Sequence, residues 1–148
     1  MCVVQPTLPS LAGRVLARVL FLLAAADGLL AGGWVLLRPN DLFTFLQTKP
    51  REPLLVLLLG LLALAHAGIC ALIAWKPHWW GALVLLPLAE RFLGTGLWLW
   101  YLASGQPEEP VAPILWLAVH DAVWLPAFTC FLLVWSRWPR SPVFPSGS

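Results

Sequence analysis

Residues 54–75 read LLVLLLGLLALAHAGICALIAW, twenty-two consecutive residues with a single strongly polar side chain, His66, near the middle. At about 1.5 Å per residue a helix of this length spans about 33 Å, enough to cross a hydrocarbon core of about 30 Å. Three further runs of the same kind occupy residues 15–37, 79–102 and 114–135. Only helices and closed barrels cross a bilayer, because unpaired backbone groups find no water there. These runs are continuous and rich in Leu and Ala, without the alternation of a barrel strand. The expected fold is therefore all-α: a polytopic transmembrane four-helix bundle with up-down topology. It forms a single domain over residues 1–138, followed by a loose polar tail at 139–148.

Composition agrees with this reading. The 148 residues are 60% hydrophobic with a mean hydropathy of +0.82. The net charge of +2 gives no basis for nucleic-acid binding, and the lipid bilayer is the expected partner. Arg14, Arg18 and the run Ala24-Ala25-Ala26 resemble parts of a signal peptide. Apolar sequence continues through Leu37, however, which is too long for an h-region, so the segment is expected to remain a membrane helix. Cys2, Cys70 and Cys130 show no paired-motif spacing.

The punctuation between runs is clear. Arg38-Pro39-Asn40-Asp41 ends the first helix, since Pro cannot continue it. Leu42-Phe43-Thr44-Phe45-Leu46 suits a short interfacial segment, and Lys76-Pro77-His78 suits a tight turn. Arg14, Arg18, Lys76, Arg137 and Arg140 lie on one side, and Arg38, Lys49 and Arg51 on the other. That bias favours both termini in the cytoplasm. Most of the tryptophans fall near helix ends, as interfacial belts require; Trp116 and Trp124 do not.

Six ionisable residues break the apolar runs: Asp27, His66, Glu90, Arg91, His120 and Asp121. Counting from the helix ends places them about 12–18 Å deep. A charge at the bilayer centre costs roughly 2.5–3.5 kcal/mol on insertion scales, so a shared polar centre is expected. Small residues flank them: Ala24, Gly28 and Ala31 beside Asp27, and Ala63, Ala67, Cys70 and Ala74 beside His66. The Arg91 fork suits two carboxylates at once, with Asp27 and Asp121 preferred and Glu90 freer to exchange a proton. His120 and Asp121, about 100° apart, are expected to face different neighbours. With neutral histidines, three ionised carboxylates against one arginine leave two negative charges unmatched, so proton sharing with His66 or His120 is expected. Pro87 and Pro126 each remove a helical hydrogen bond near this level.

No phosphate loop, metalloprotease motif or nucleophile elbow is present, and a non-enzymatic protein is favoured. The polar centre suits a small ligand or a proton, with Trp116 and Trp124 as candidate pocket walls beside His120. A network that only specifies helix packing is the competing reading. The ligand types for a metal occur without a Glu-x-x-His spacing, so no metal and no cofactor is expected. The alternative from another class is a membrane-embedded redox component using quinone or haem, the haem held by His66 and His120. Four helices enclose little volume, which fits self-association or a membrane-protein partner and a role as a complex subunit.

The run Gly68-Ile69-Cys70-Ala71-Leu72-Ile73-Ala74-Trp75-Lys76-Pro77-His78-Trp79-Trp80 and the run His120-Asp121-Ala122-Val123-Trp124-Leu125-Pro126-Ala127-Phe128 carry a resemblance. They resemble uncharacterised bacterial four-helix membrane proteins of the broad DoxX-like type, whose fourth helix has a similar acidic-x-x-Trp-x-Pro-x-Phe pattern. Asp121, Trp124, Pro126 and Phe128 match that pattern, whereas Glu90-Arg91 stands where those relatives more often have Lys. The resemblance implies a four-helix protein of a bacterial inner membrane and no particular reaction.

Overall fold

A computed structural model of the protein describes residues 11–46, 53–104 and 111–137. The tail at 139–148, Trp138, Arg140, Lys49, Arg51 and Cys2 lie outside the described residues. Helix α1 spans Leu11–Leu37, α2 Pro39–Leu46, α3 Pro53–Trp75 and α4 Pro77–Trp80. A 3-10 turn at Gly81–Val84 leads into α5, Leu85–Ala103, and α6 spans Val111–Trp135. The described residues contain four helical segments long and apolar enough to cross a membrane, with α4, the 3-10 turn and α5 forming one of them. The protein is an all-α bundle of a multi-pass membrane kind.

Each boundary has a local cause. Pro39, Pro53 and Pro77 open α2, α3 and α4, where the missing N–H costs nothing. The expected tight turn at Lys76-Pro77-His78 is narrower than three residues: Lys76 alone leaves the helical path. Its carbonyl accepts from the N–H groups of both Trp79 and Trp80 at 3.0 Å. The expected third helix at 79–102 is interrupted. Pro87 has no N–H to offer Leu83, and its ring crowds that carbonyl, which accounts for the tightening to 3-10 geometry at Gly81–Val84. Pro87 thus sits in the first turn of α5 rather than inside a long helix. Pro126, by contrast, lies within α6.

Two helix pairs make up the bundle, and they pack by different means. Within the first pair, α1 and α3 approach backbone to backbone. A Cβ on Gly28 would lie 2.9 Å from the Ala63 carbonyl oxygen, and one on Gly32 2.9 Å from that of Gly60. Lipid tails are as apolar as Leu, so helices associate through close packing rather than water exclusion, and small residues permit it. The second pair is α5 with α6. Between the pairs the contacts come from large side chains. Phe21 of α1 stacks on Phe128 of α6 at 5.5 Å between centroids, and Phe131 meets it edge-on at 4.6 Å. Phe21, Cys70, Ile73, Val84 and Phe128 are all fully buried there. This core lies in the half of the bundle that ends at Trp75–Trp80. At the other end, α2 lays Leu42 and Phe43 onto the helices. Leucines cover the outer surface, with Leu30 at 75% exposed. Trp34, Trp75, Trp79, Trp80 and Trp100 are also exposed, near the ends of their helices.

Candidate functional site

The four long helices each contribute to one polar centre. Asp27 lies about 15 Å from the Leu37 end of α1, and Arg91 about 18 Å from the Ala103 end of α5. His120 and Asp121 lie about 14–15 Å from Val111, and His66 about 20 Å from Pro53. Asp27, His120 and Asp121 therefore form one level, Arg91 lies slightly deeper, and His66 and Glu90, each about 20 Å from the same end, lie nearly a turn beyond the aspartates towards the aromatic core.

Successive helical residues point about 100° apart, so Glu90 and Arg91 serve different neighbours. Glu90 turns to α3, where its Oε2 lies 2.6 Å from His66 Nδ1. Arg91 turns to α1 and α6: Nη2 donates to Asp27 Oδ2 at 3.0 Å and Nη1 donates to Asp121 Oδ1. His120 completes a ring of contacts. Its Nε2 is 3.0 Å from Asp27 Oδ1, and its Nδ1 lies 3.3 Å from Arg91 Nη1 and 3.6 Å from Asp121 Oδ1. Both oxygens of Asp27 are thus engaged, one by arginine and one by histidine.

One expectation needs correction. His120 and Asp121 do share a neighbour, because the arginine side chain is long enough to bring its guanidinium between them. Glu90, expected to exchange a proton more freely than the aspartates, is closed onto His66, whose side chain is 1% exposed against 32% for Glu90. The charge count also improves. The 2.6 Å His66–Glu90 contact sets these two groups apart from the Arg91 network. A neutral His120 with its proton on Nε2 donates to Asp27 and accepts from Arg91. The remaining group of Arg91, Asp27 and Asp121 then carries one negative charge, and a second proton on His120 cancels it.

Trp116 and Trp124, expected as pocket walls, make different contacts. Trp116 stacks on His120 at 5.3 Å but is 57% exposed, whereas Trp124 stacks on Phe128 and packs against the aromatic core. Two helical turns separate them, and the polar level lies between. An apolar groove of about 490 Å³ lies elsewhere, on α5 and α6, lined by Leu85, Leu88, Ala89, Phe92, Leu125 and Thr129. The two nitrogens of His120 are both occupied within the network, so in this arrangement it offers none to a haem iron. Among the described residues no three His, Cys, Asp or Glu groups are placed to hold a metal ion.

Sequence reasoning missed Thr95 and set Gly94 beside Glu90, at i+4, rather than against Asp121. Both stand a turn from Arg91, at i+3 and i+4, which was the available signal. Gly94 faces Asp121: a Cβ there would come within 2.6 Å of Oδ2. Thr95 Oγ1, Arg91 Nε and His66 Nε2 are buried without a hydrogen-bond partner, each at a cost of about 1–3 kcal/mol. Because Arg91 holds the Asp121 carboxylate in place, Gly94→Ala should destabilise the bundle by about 1–3 kcal/mol. Reversible unfolding in mixed micelles measures this. Most of the loss should disappear in an Asp121→Ala background, and strictly additive effects would contradict the contact.

No protein-family model, no curated protein and no solved structure matches this chain. Fold and site together define the class: a multi-pass helical membrane bundle with an ionic network buried at mid-depth.

Proposed function

We propose that the protein is a small membrane protein whose central network takes up and releases a proton at His120. The observation that carries this reading is the placement of His120 Nδ1 between a donor, Arg91 Nη1 at 3.3 Å, and an acceptor, Asp121 Oδ1 at 3.6 Å. The neutral ring accepts from arginine through that nitrogen. With a second proton the same nitrogen turns from Arg91 to Asp121 Oδ1, closing the 3.6 Å gap by a few tenths of an ångström to donate to it, and Nε2 keeps Asp27 throughout. A small rotation of the ring therefore gives it partners in two protonation states, which a purely structural ion pair does not require. Intramembrane acids, bases and histidines commonly mark proton or substrate pathways. Arg91 positions the site, since its charge persists and its fork holds both aspartates.

The same reading places the protein in a bacterial inner membrane with both termini cytoplasmic. This is supported by the Lys and Arg bias and by the resemblance to the DoxX-like type. Self-association or a partner subunit fits its small enclosed volume.

Solid-state NMR of 15N-labelled histidine in bilayers tests the proposal. His120 should pass between a neutral and a doubly protonated form while the bundle stays folded, and Asp27→Asn should shift that titration. A single protonation state for His120 throughout the folded range defeats it. An absorbance spectrum of the purified protein separates the other class: a Soret band would replace the proton site with a redox component.

A further inference from the structure

We infer that the central network communicates with one face of the membrane only, the face on which α2 lies, and that α2 is the lid over that route. The two covers of the network are built differently. Towards Trp75–Trp80 the cover consists of the spans themselves. Phe21, Cys70, Ile73, Val84 and Phe128 are fully buried in one continuous cluster, and their rings interlock. His66 lies directly against this layer, its ring 6.2 Å from that of Phe128. Opening it requires separating the two helix pairs.

Towards the other face the cover is thinner and is supplied in part by a separate element. On α6 the inward line runs from Asp121 through Ala118 to Ile114, at 3% and 1% exposed. Above that line sit Val35 of α1 and Leu42 and Phe43 of α2, at 6%, 8% and 9%. The eight residues of α2 join α1 through the single non-helical residue Arg38. The polar contacts within Arg38–Thr44 are local: an exposed Arg38–Asp41 pair at 3.7 Å and a bond from Thr44 Oγ1 to the Asn40 carbonyl at 2.9 Å. Among the described residues, its contacts with the long helices are apolar: Leu42 and Phe43 are buried, and Phe45 meets Trp34 and Trp116.

A line of rings joins this helix to the site. Phe45 meets Trp34 at 6.1 Å and Trp116 at 5.7 Å, and Trp116 stacks on His120 at 5.3 Å. Asp27 and His120, the pair reached along this line, keep about a quarter of their side-chain surface exposed. Displacing α2 removes Leu42, Phe43 and Phe45 together and leaves Val35, Ile114 and Ala118 above Asp121. The proposed proton exchange at His120 would then be one-sided. The inference rests on that reading for what passes, while the lid itself is judged by thiol chemistry.

The test uses full-length protein in vesicles, with Cys2→Ser and Cys130→Ser and with native Cys70 kept. Ala118→Cys reports on the α2 side, and Cys70, one turn beyond His66, reports on the core side. A charged, membrane-impermeant methanethiosulfonate is added from each side in turn. Ala118→Cys should react only from the α2 face. Phe45→Ala should raise that rate roughly tenfold, the factor equivalent to about 1.4 kcal/mol of closing contact. Cys70 should stay unmodified in both backgrounds. Reaction of Cys70 from the opposite face at a comparable rate overturns the inference, as does an Ala118→Cys rate that Phe45→Ala leaves unchanged. Ile114→Cys serves in the same way if Ala118→Cys fails to fold. If the thiol pattern holds but His120 shows one protonation state by NMR, the lid stands and the proton reading falls.

Discussion

Arg91→Met is expected to destabilise the bundle by about 3–5 kcal/mol, the range for removing one partner from a buried ion pair. Arg91 is 9% exposed and bonds Asp27 of α1 and Asp121 of α6. Without it, two carboxylates and an imidazole are left facing each other in a medium that solvates none of them. Most of the loss is therefore the stranding of charge, because individual polar contacts between membrane helices are often worth less than about 1 kcal/mol. Arg91→Met with Asp27→Asn and Asp121→Asn should recover most of the stability, since the triple variant strands no charge. Arg91→Lys should recover only part, because an ammonium lacks the planar fork that spans two carboxylates. Unfolding in mixed micelles of increasing sodium dodecyl sulfate measures all three. A cost below about 1 kcal/mol for Arg91→Met alone would show that the charges are solvated and the network is not the closed site described.

The second large effect is expected at a residue with no charge. Gly28→Val should cost about 3 kcal/mol, the upper part of the usual overpacking range. A Cβ at this position meets the Ala63 carbonyl oxygen at 2.9 Å, the Ala67 Cβ at 3.1 Å and the Ala67 nitrogen at 3.2 Å. Two of these are backbone atoms in the middle of α3, so no rotamer change relieves the clash and the helices must separate. Asp27 is the adjacent residue, so separation also draws its carboxylate away from Arg91 and His120. Gly33→Val and Gly68→Val provide the contrast. A Cβ added to either glycine would meet nothing within 4 Å, and both changes should stay within about 0.5 kcal/mol. Equal losses at Gly28 and Gly33 would show that the α1–α3 approach does not set the cost, since helix propensity favours Val over Gly at both.

The contrast between Gly28 and Gly33 shows where local sequence stops being informative. Both lie in the same apolar helix, and only the neighbouring helix distinguishes them. The four spans were legible because a bilayer imposes one length and one polarity on every segment that crosses it. The 3-10 interruption before α5 had its signal in Pro87, but a continuous apolar run hid it. In the site, the pairing of Arg91 with Asp27 and Asp121 followed from the shape and permanent charge of guanidinium. The capture of Glu90 by His66 did not follow, because it depends on which helix lies on that side of α5. Trp116 and Trp124 show the same limit: each stands one turn from His120, yet one ring lies over the histidine and the other turns into the core.

By itself, the sequence determined the all-α membrane-spanning architecture, the depth of Asp27, His66, Glu90, Arg91, His120 and Asp121, and the need for those charges to find one another. These are properties of single helices, set by rise per residue and by the cost of charge in hydrocarbon. The tertiary structure alone decided the azimuth of each helix. That choice divides the polar residues into a His66–Glu90 pair and an Arg91-centred group, and it places an interlocked aromatic layer on one side and the short helix α2 on the other. Azimuth depends on side-chain fit across interfaces, and nearly every face of these leucine-rich helices is apolar enough to turn inward.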